Sequence, residues 1–358
     1  MKIAFVLPPF SEDPIGGYEM VYKYANELST RGHQIDIYYL AERFMVKPRF
    51  FADSKMIAKK IIECLNPSKL ENRWFSLNTS ITEHFHQISA IKQPHDAIIA
   101  TAIQTAKFVS EQSSSQGEKY YFIQGLEEWI DGGEEQVIES YFLPLHKVVI
   151  SKWLEKFVFE KTGEHSFVIP NSIDTTEFFP SQPIKKSHNR VALLNHESPE
   201  KNSSFGISVL EAVKKEIPDL EVLIFGVPRR PKNLPDYFHY FRSADVSQLR
   251  EDVYGPAKIY LMPPKKEGWG LTGMEAMACG AALVASDVPG IKEYAINKEN
   301  AVLLPVDDKT SFIKAIVTLL KDEGARVKFA SNGLQHIKEF SLSESTNRWE
   351  KLLKELSK

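Results

Sequence analysis

The chain has 358 residues, of which 43% are hydrophobic and 25% charged, a balance that excludes long disorder. At about 150 residues per domain, the length favours two domains, each large enough for its own core. Lys and Arg number 44 against 47 Asp and Glu, for a formal charge of -3, which gives no global electrostatic reason to bind nucleic acid.

The opening Met1-Lys2-Ile3-Ala4-Phe5-Val6-Leu7-Pro8-Pro9 is too short for the apolar region of a signal peptide and reads as a buried strand, Ile3 to Leu7. Gly17 to Arg31 carries Met20, Val21, Tyr24, Ala25 and Leu28 on one helical face and stops at Gly32. Strands follow at Gln34 to Leu40, Ala97 to Thr101, Tyr120 to Gln124 and Lys147 to Ser151, and a helix at Lys152 to Thr162. The second half repeats the alternation, with strands at Arg190 to Leu194, Glu221 to Phe225, Lys258 to Met262 and Ala282 to Ser286. Its helices fall at Ser204 to Glu216, Thr272 to Cys279 and Ser311 to Lys321.

Short apolar runs separated by helical stretches predict an α/β fold of two Rossmann-like, doubly wound units facing across a cleft. The proline and turn formers of Ile169-Pro170-Asn171-Ser172-Ile173-Asp174 predict domains at 1–170 and 181–340, a linker at 171–180 and a last helix at 341–358 that returns to the first domain. Cys64 and Cys279, far apart in a large chain, read as free thiols of a reducing compartment, and no run reaches the roughly 18 to 20 apolar residues of a membrane span. A cytoplasmic protein is the expectation.

The most informative segment is Glu267-Gly268-Trp269-Gly270-Leu271-Thr272-Gly273-Met274-Glu275, a strand exit, a glycine-rich loop and a helix start. Gly268 and Gly270 let backbone amides converge on one anion, and the helix N-terminus adds a partial positive charge. Glu267 and Glu275 suit paired sugar hydroxyls, because each carboxylate oxygen accepts a charge-assisted hydrogen bond. The competing readings are a capping box for Thr272-x-x-Glu275 and a solvated loop acid for Glu267. Gly16 and Gly17, after the long loop Pro8 to Ile15, read either as a second phosphate-facing helix start or as a plain turn. No D-x-D triplet, Cys/His cluster, G-x-G-x-x-G, Walker loop or G-x-S-x-G is present, so no metal or other cofactor is expected.

The string from Glu267 to Glu275, its continuation Ala281-Ala282-Leu283-Val284-Ala285-Ser286-Asp287-Val288-Pro289-Gly290, and the segment from Ile169 to Asp174 with Phe178 resemble retaining glycosyltransferases of family four, which have the glycosyltransferase B type of fold. The resemblance implies transfer of a sugar from a nucleotide-diphosphate sugar to a saccharide or lipid-linked acceptor, with anomeric configuration retained, in polysaccharide or glycoconjugate assembly. It implies that Glu267 holds the donor sugar, Glu275 the ribose, and Lys201 with the main chain of Gly268, Trp269, Gly270, Leu271 and Thr272 the diphosphate. Where the family carries an arginine five residues before that lysine, this chain has His196, which is mostly neutral at pH 7 where a guanidinium is always charged. Arg229 and Arg230 are the other cations considered for that task.

Many members place a histidine where Tyr120-Tyr121-Phe122-Ile123-Gln124-Gly125 ends; here Gln124 stands there, and an amide cannot exchange protons near neutrality. Glu127, Glu128, Asp131, Glu134 and Glu135 read as an acidic loop, with Glu127 nearest the strand end. Residues 46–75, basic and interleaved with aromatic and aliphatic residues, read either as an acceptor-side cap or as a peripheral contact with an anionic membrane surface. Two other functions fit the same two-domain pattern, a nucleotide-sugar epimerase and a non-catalytic saccharide-binding protein.

Overall fold

A computed structural model describes residues 1–41, 74–87, 89–127 and 133–356. The chain divides into two compact units, Met1–Pro170 with Leu342–Lys358, and Asn171–Ser341. The change of unit falls at Pro170, so 171–180 is grouped with the second unit.

The first unit is built on a parallel sheet in the order β3-β2-β1-β4-β5-β6-β7. Its strands are β1 (Lys2–Leu7), β2 (Gln34–Leu40), β3 (Thr82–Gln87), β4 (Ala97–Ala100), β5 (Glu118–Ile123), β6 (His146–Val149) and β7 (Phe167–Val168). The predicted strands of this half are present. Strand β3, Thr-Glu-His-Phe-His-Gln, escapes the sequence pattern because it pairs only with β2 and is exposed at Thr82 and half-buried beyond it, so no apolar run marks it. Central β1 is buried from Ile3 to Leu7, as a strand covered on both faces must be. Helix Gly16–Thr30 buries the predicted stripe, and Gly32, at φ +87°, lets the chain turn into β2.

The last helix, Leu342–Leu356, belongs to this unit. Trp349 is fully buried and packs edge-on against Tyr24 and Phe122, with ring centroids 6.1 and 5.2 Å away. Arg31, at the end of helix Gly16–Thr30, donates to Glu350 at 2.8 Å, and His33 lies 2.7 Å from the other oxygen of that carboxylate. Of the stretch 46–75 only Trp74 and Phe75 are described; both rings pack against Tyr22. The rest of that predicted surface, with Cys64, lies outside the described residues, as do Glu128 and Asp131.

The second unit is a parallel sheet in the order β10-β9-β8-β11-β12-β13. Its strands are β8 (Arg190–Leu194), β9 (Glu221–Gly226), β10 (Phe238–Arg242), β11 (Ile259–Met262), β12 (Ala282–Ser286) and β13 (Ala301–Leu304). The helices Ser203–Glu216 and Lys309–Lys321 close one face through Val209, Leu210, Val213, Phe312 and Ile316. Helix Glu323–Ile337, which the sequence reading missed, has a weakly amphipathic pattern and buries only Arg326, Ala330, Gly333 and Ile337. Among the described residues no helix is long and apolar enough to cross a membrane.

The bond from His33, reinforced by Arg31 and opposed by partial burial, holds the Glu350 carboxyl far below its ordinary value of 4.5, at about 2. A carboxyl with a depressed folded-state pKa stabilises the fold above its unfolded pKa, and that contribution is lost as pH falls toward the folded value. Glu350→Gln should therefore flatten the loss of stability between about pH 4.5 and 2, measured by urea denaturation at stepped pH; a variant profile parallel to wild type would contradict the assignment.

Candidate active site

The strand order of the second unit reverses between β8 and β11, so the loops leaving their carboxyl ends diverge and open a crevice of the kind where open parallel sheets place ligands. A pocket at this point is lined by Leu194, Met262, Pro263, Lys201, Glu267 and Thr272, among others. It is formed where the predicted glycine-rich segment leaves β11.

Gly270 caps helix Leu271–Ala278 at φ +93°, a left-handed conformation natural to glycine. The loop lies flat on the turn at Gly290: a Cβ added there would come within 2.3 Å of the Glu267 carbonyl oxygen and 2.6 Å of the Gly268 carbonyl oxygen. Tyr294 fixes the loop from beneath, its buried hydroxyl donating to the Gly270 carbonyl at 2.8 Å. Burial, then the Glu267 charge, push the Tyr294 pKa well up, so its proton stays in place. The indole of Trp269 is turned into the core, 2% exposed and tilted against Tyr294, so this residue reaches the loop's ligand-facing side through its main chain alone. The first-turn N–H groups of Leu271–Ala278 have no carbonyl partners within their own helix and carry the positive end of its dipole.

Lys201 ends a short 3₁₀ turn, Pro199–Lys201, after β8. Its Nζ donates to Glu267 Oε2 at 2.6 Å, with the glutamate side chain 9% exposed and the lysine 32%. Each group satisfies the other, which avoids leaving the nearly buried carboxylate unpaired. Glu275 is also buried, at 6% exposure, and accepts from the Tyr254 hydroxyl at 2.8 Å. The capping box considered for Thr272 and Glu275 is not formed: the helix begins at Leu271 on a Gly270 cap, so Thr272 lies inside its first turn. Tyr254 ends a π-helical turn, Leu249–Tyr254, a structure the sequence gives no sign of.

His196 stands in the same loop, its Nδ1 accepting from the Ser198 N–H at 2.9 Å. Burial first, and then Lys201, push its pKa below the usual histidine value. The imidazole is therefore neutral at pH 7, and the bond to Nδ1 assigns its proton to Nε2. Arg230 directs its guanidinium to the carbonyls of Leu234 and Pro235, and Arg229 is exposed. Neither has a structural tie to the pocket in these contacts.

Three predicted residues gather separately in the first unit. Gly16 and Gly17 open helix Gly16–Thr30, and a Cβ on Gly17 would lie 3.4 Å from Nε2 of Gln124, which itself donates to the Thr101 carbonyl at 3.3 Å. These positions follow β1, β4 and β5, again beside a reversal of strand order. Close by in sequence, Glu127 Oε2 accepts from the N–H of Ile103 at 2.6 Å, and burial, partly offset by that bond, raises its carboxyl to about 7. The structure thus forms two local groups, Gly16, Gly17 and Gln124 in one unit, and His196, Lys201 and 267–275 in the other.

Gly290→Ala should lower stability by about 1–3 kcal/mol, because the new methyl must displace the main chain of Glu267 and Gly268. Denaturant unfolding of the purified variant measures this; an unchanged midpoint would contradict the packing described.

Residues 174–336 match the Glycosyl transferases group 1 family. A phosphatidyl-myo-inositol mannosyltransferase of Mycolicibacterium smegmatis is 22% identical over 58% of this chain and 58% of its own length, so the match spans less than two thirds of that relative. The enzyme of the same description from Mycobacterium tuberculosis is 19% identical over 96% of this chain and 94% of its own. Among solved structures, Anabaena HepE in complex with UDP and glucose superposes with a TM-score of 0.74 at 16% identity, covering 99% of this chain and 100% of that one. The family match lies within the second unit, and with its two parallel-sheet units and these structural likenesses the chain has the glycosyltransferase B type of fold.

Proposed function

We propose that this glycosyltransferase moves a sugar from a nucleotide-diphosphate sugar to a hydroxyl of a saccharide or lipid-linked acceptor, retaining the anomeric configuration. The observation that supports this most is the Lys201–Glu267 pair beside the helix start at Leu271, a cation and a carboxylate side by side at a main-chain anion site. In this reading the diphosphate takes the lysine and the first-turn N–H groups, and Glu267, released from Lys201, accepts from hydroxyls of the donor sugar. Glu275, oriented by Tyr254, accepts from the ribose. His196 offers an uncharged Nε2–H donor toward the phosphates, which leaves Lys201 as the principal side-chain charge on the leaving group.

In the first unit, Gln124 serves as a hydrogen-bonding group for the acceptor. It cannot take a proton, so the reaction is assigned to one face of the sugar: the acceptor oxygen bonds to the anomeric carbon as the carbon–phosphate oxygen bond breaks. The departing diphosphate keeps the electron pair and takes the acceptor's proton. Stabilising that developing charge is the main electrostatic task, and Lys201 with the loop is assigned to it without a metal ion. The proposed setting is polysaccharide or glycoconjugate assembly by a cytoplasmic enzyme, in peripheral contact with a membrane where its acceptor is lipid-linked.

A thermal-shift panel of nucleoside diphosphates should find one that stabilises the protein by about 2.7 kcal/mol at about 100 times its dissociation constant. With the matching sugar donor, Lys201→Ala and Glu267→Ala should each lower initial turnover by about 10²-fold or more. Variants within a few fold of wild type would overturn the site assignment, and donor consumption without an acceptor product would favour an epimerase.

A further inference from the structure

We propose that Asn202 and Asp307 act together as a positioning pair that aims Lys201 at the diphosphate; this rests on the donor-site reading above. Asn202 directly follows Lys201 and has φ +56°, and Asp307, in the loop after β13, has φ +62°. Two non-glycine residues in the left-handed region therefore face one another, with Asn202 Nδ2 donating to Asp307 Oδ1 at 2.9 Å. Asn and Asp tolerate this conformation better than other residues with side chains, but glycine adopts it with less strain. At both positions the side chain makes a bond that glycine could not.

The geometry around the pair gives the bond a consequence. Asn202 is 7% exposed and is at once the end of the turn Pro199–Lys201 and the cap of helix Ser203–Glu216. Its main chain sets the direction in which Lys201 leaves the backbone. The turn is tied on its other side as well, since the Lys265 N–H donates to the Glu200 carbonyl at 2.7 Å. Lys265 Nζ lies 3.6 Å from Asp307 Oδ2, both groups half-exposed, so this ion pair adds little. The lysine is thereby held between two anchors: one to the loop that carries Glu267, through residue 265, and one to the loop after β13, through residue 307. Removing the second leaves the turn held on that side by Ser203, whose hydroxyl donates to the Leu194 carbonyl at 3.0 Å, and loosens the residue that directs the lysine, so that the ammonium keeps its line to the phosphates less well.

Asn202→Gly tests this directly, because glycine keeps the left-handed backbone and removes the side-chain bond; Asp307→Gly removes the same bond together with the weak half-exposed pair to Lys265. Calorimetric titration with UDP and GDP identifies the tighter nucleotide for wild type. Each glycine variant should bind it about three- to tenfold more weakly, the scale of one ordinary intramolecular hydrogen bond, while the thermal midpoint of the ligand-free protein stays near wild type. In a Lys201→Ala background, Asn202→Gly should change affinity by less than about twofold, since the lysine it aims is gone. The exchanged pair Asn202→Asp with Asp307→Asn, which can re-form the bond with donor and acceptor reversed, should return most of the lost affinity. Wild-type binding by the glycine variants, or an undiminished loss in the Lys201→Ala background, would overturn the pair's role while leaving the donor site intact. Wild-type affinity in Lys201→Ala alone, or no binding of either nucleotide by the wild type, would overturn the donor-site reading and this inference with it.

Discussion

The second unit depends on one constraint, the reversal of strand order between β8 and β11. Strands that leave a parallel sheet side by side but connect in opposite directions cannot cover the gap between their carboxyl ends. The chain meets this gap with short side chains and main chain: β11 runs into Pro263 and Pro264, then into a loop whose glycines permit a left-handed cap at Gly270 and close contact with Gly290. Everything chemically notable is arranged around that opening. Lys201 comes from the loop after β8, Glu267 from the loop after β11, and Glu275 from the helix that follows.

The electrostatics of the pocket follow from burial. Glu267 is nearly enclosed and is matched by a single lysine at 2.6 Å, an arrangement in which removing either partner strands the other. His196, where an arginine would bring permanent charge, is held neutral by its own burial and by Lys201. An uncharged donor beside a charged one lowers repulsion within the loop. On the proposed reading it also concentrates the task of charge neutralisation on Lys201 and the helix start, which explains why the orientation of that one side chain matters.

Much of this was legible in the sequence. The alternation of apolar runs and amphipathic stretches marks the central strands, because strands buried on both faces carry unbroken runs such as those of β1 and β12. The glycine spacing marks the loop at 268–270, and Glu267, Glu275 and Lys201 stand in recognisable positions relative to it. What escaped did so for separate physical reasons. Edge strands β3 and β10 bury less and carry histidines, tyrosines and arginines that read as loop. Tyr254, Tyr294 and Asp307 support the site across separations of 21, 24 and 105 residues, so nothing local announces them. The capping-box pattern at Thr272 was misleading because the same letters fit a helix that starts one residue earlier on a glycine.

The central claim is that the loop after β11, its helix start and Lys201 together receive a nucleotide diphosphate. A crystal structure of the protein grown with the nucleoside diphosphate that stabilises it most tests this directly. The account predicts phosphate density against the main chain of 268–272, with the Lys201 ammonium moved from Glu267 onto a phosphate oxygen and Glu275 within reach of the ribose. Phosphate density elsewhere in the molecule, with the Lys201–Glu267 pair intact, would contradict it.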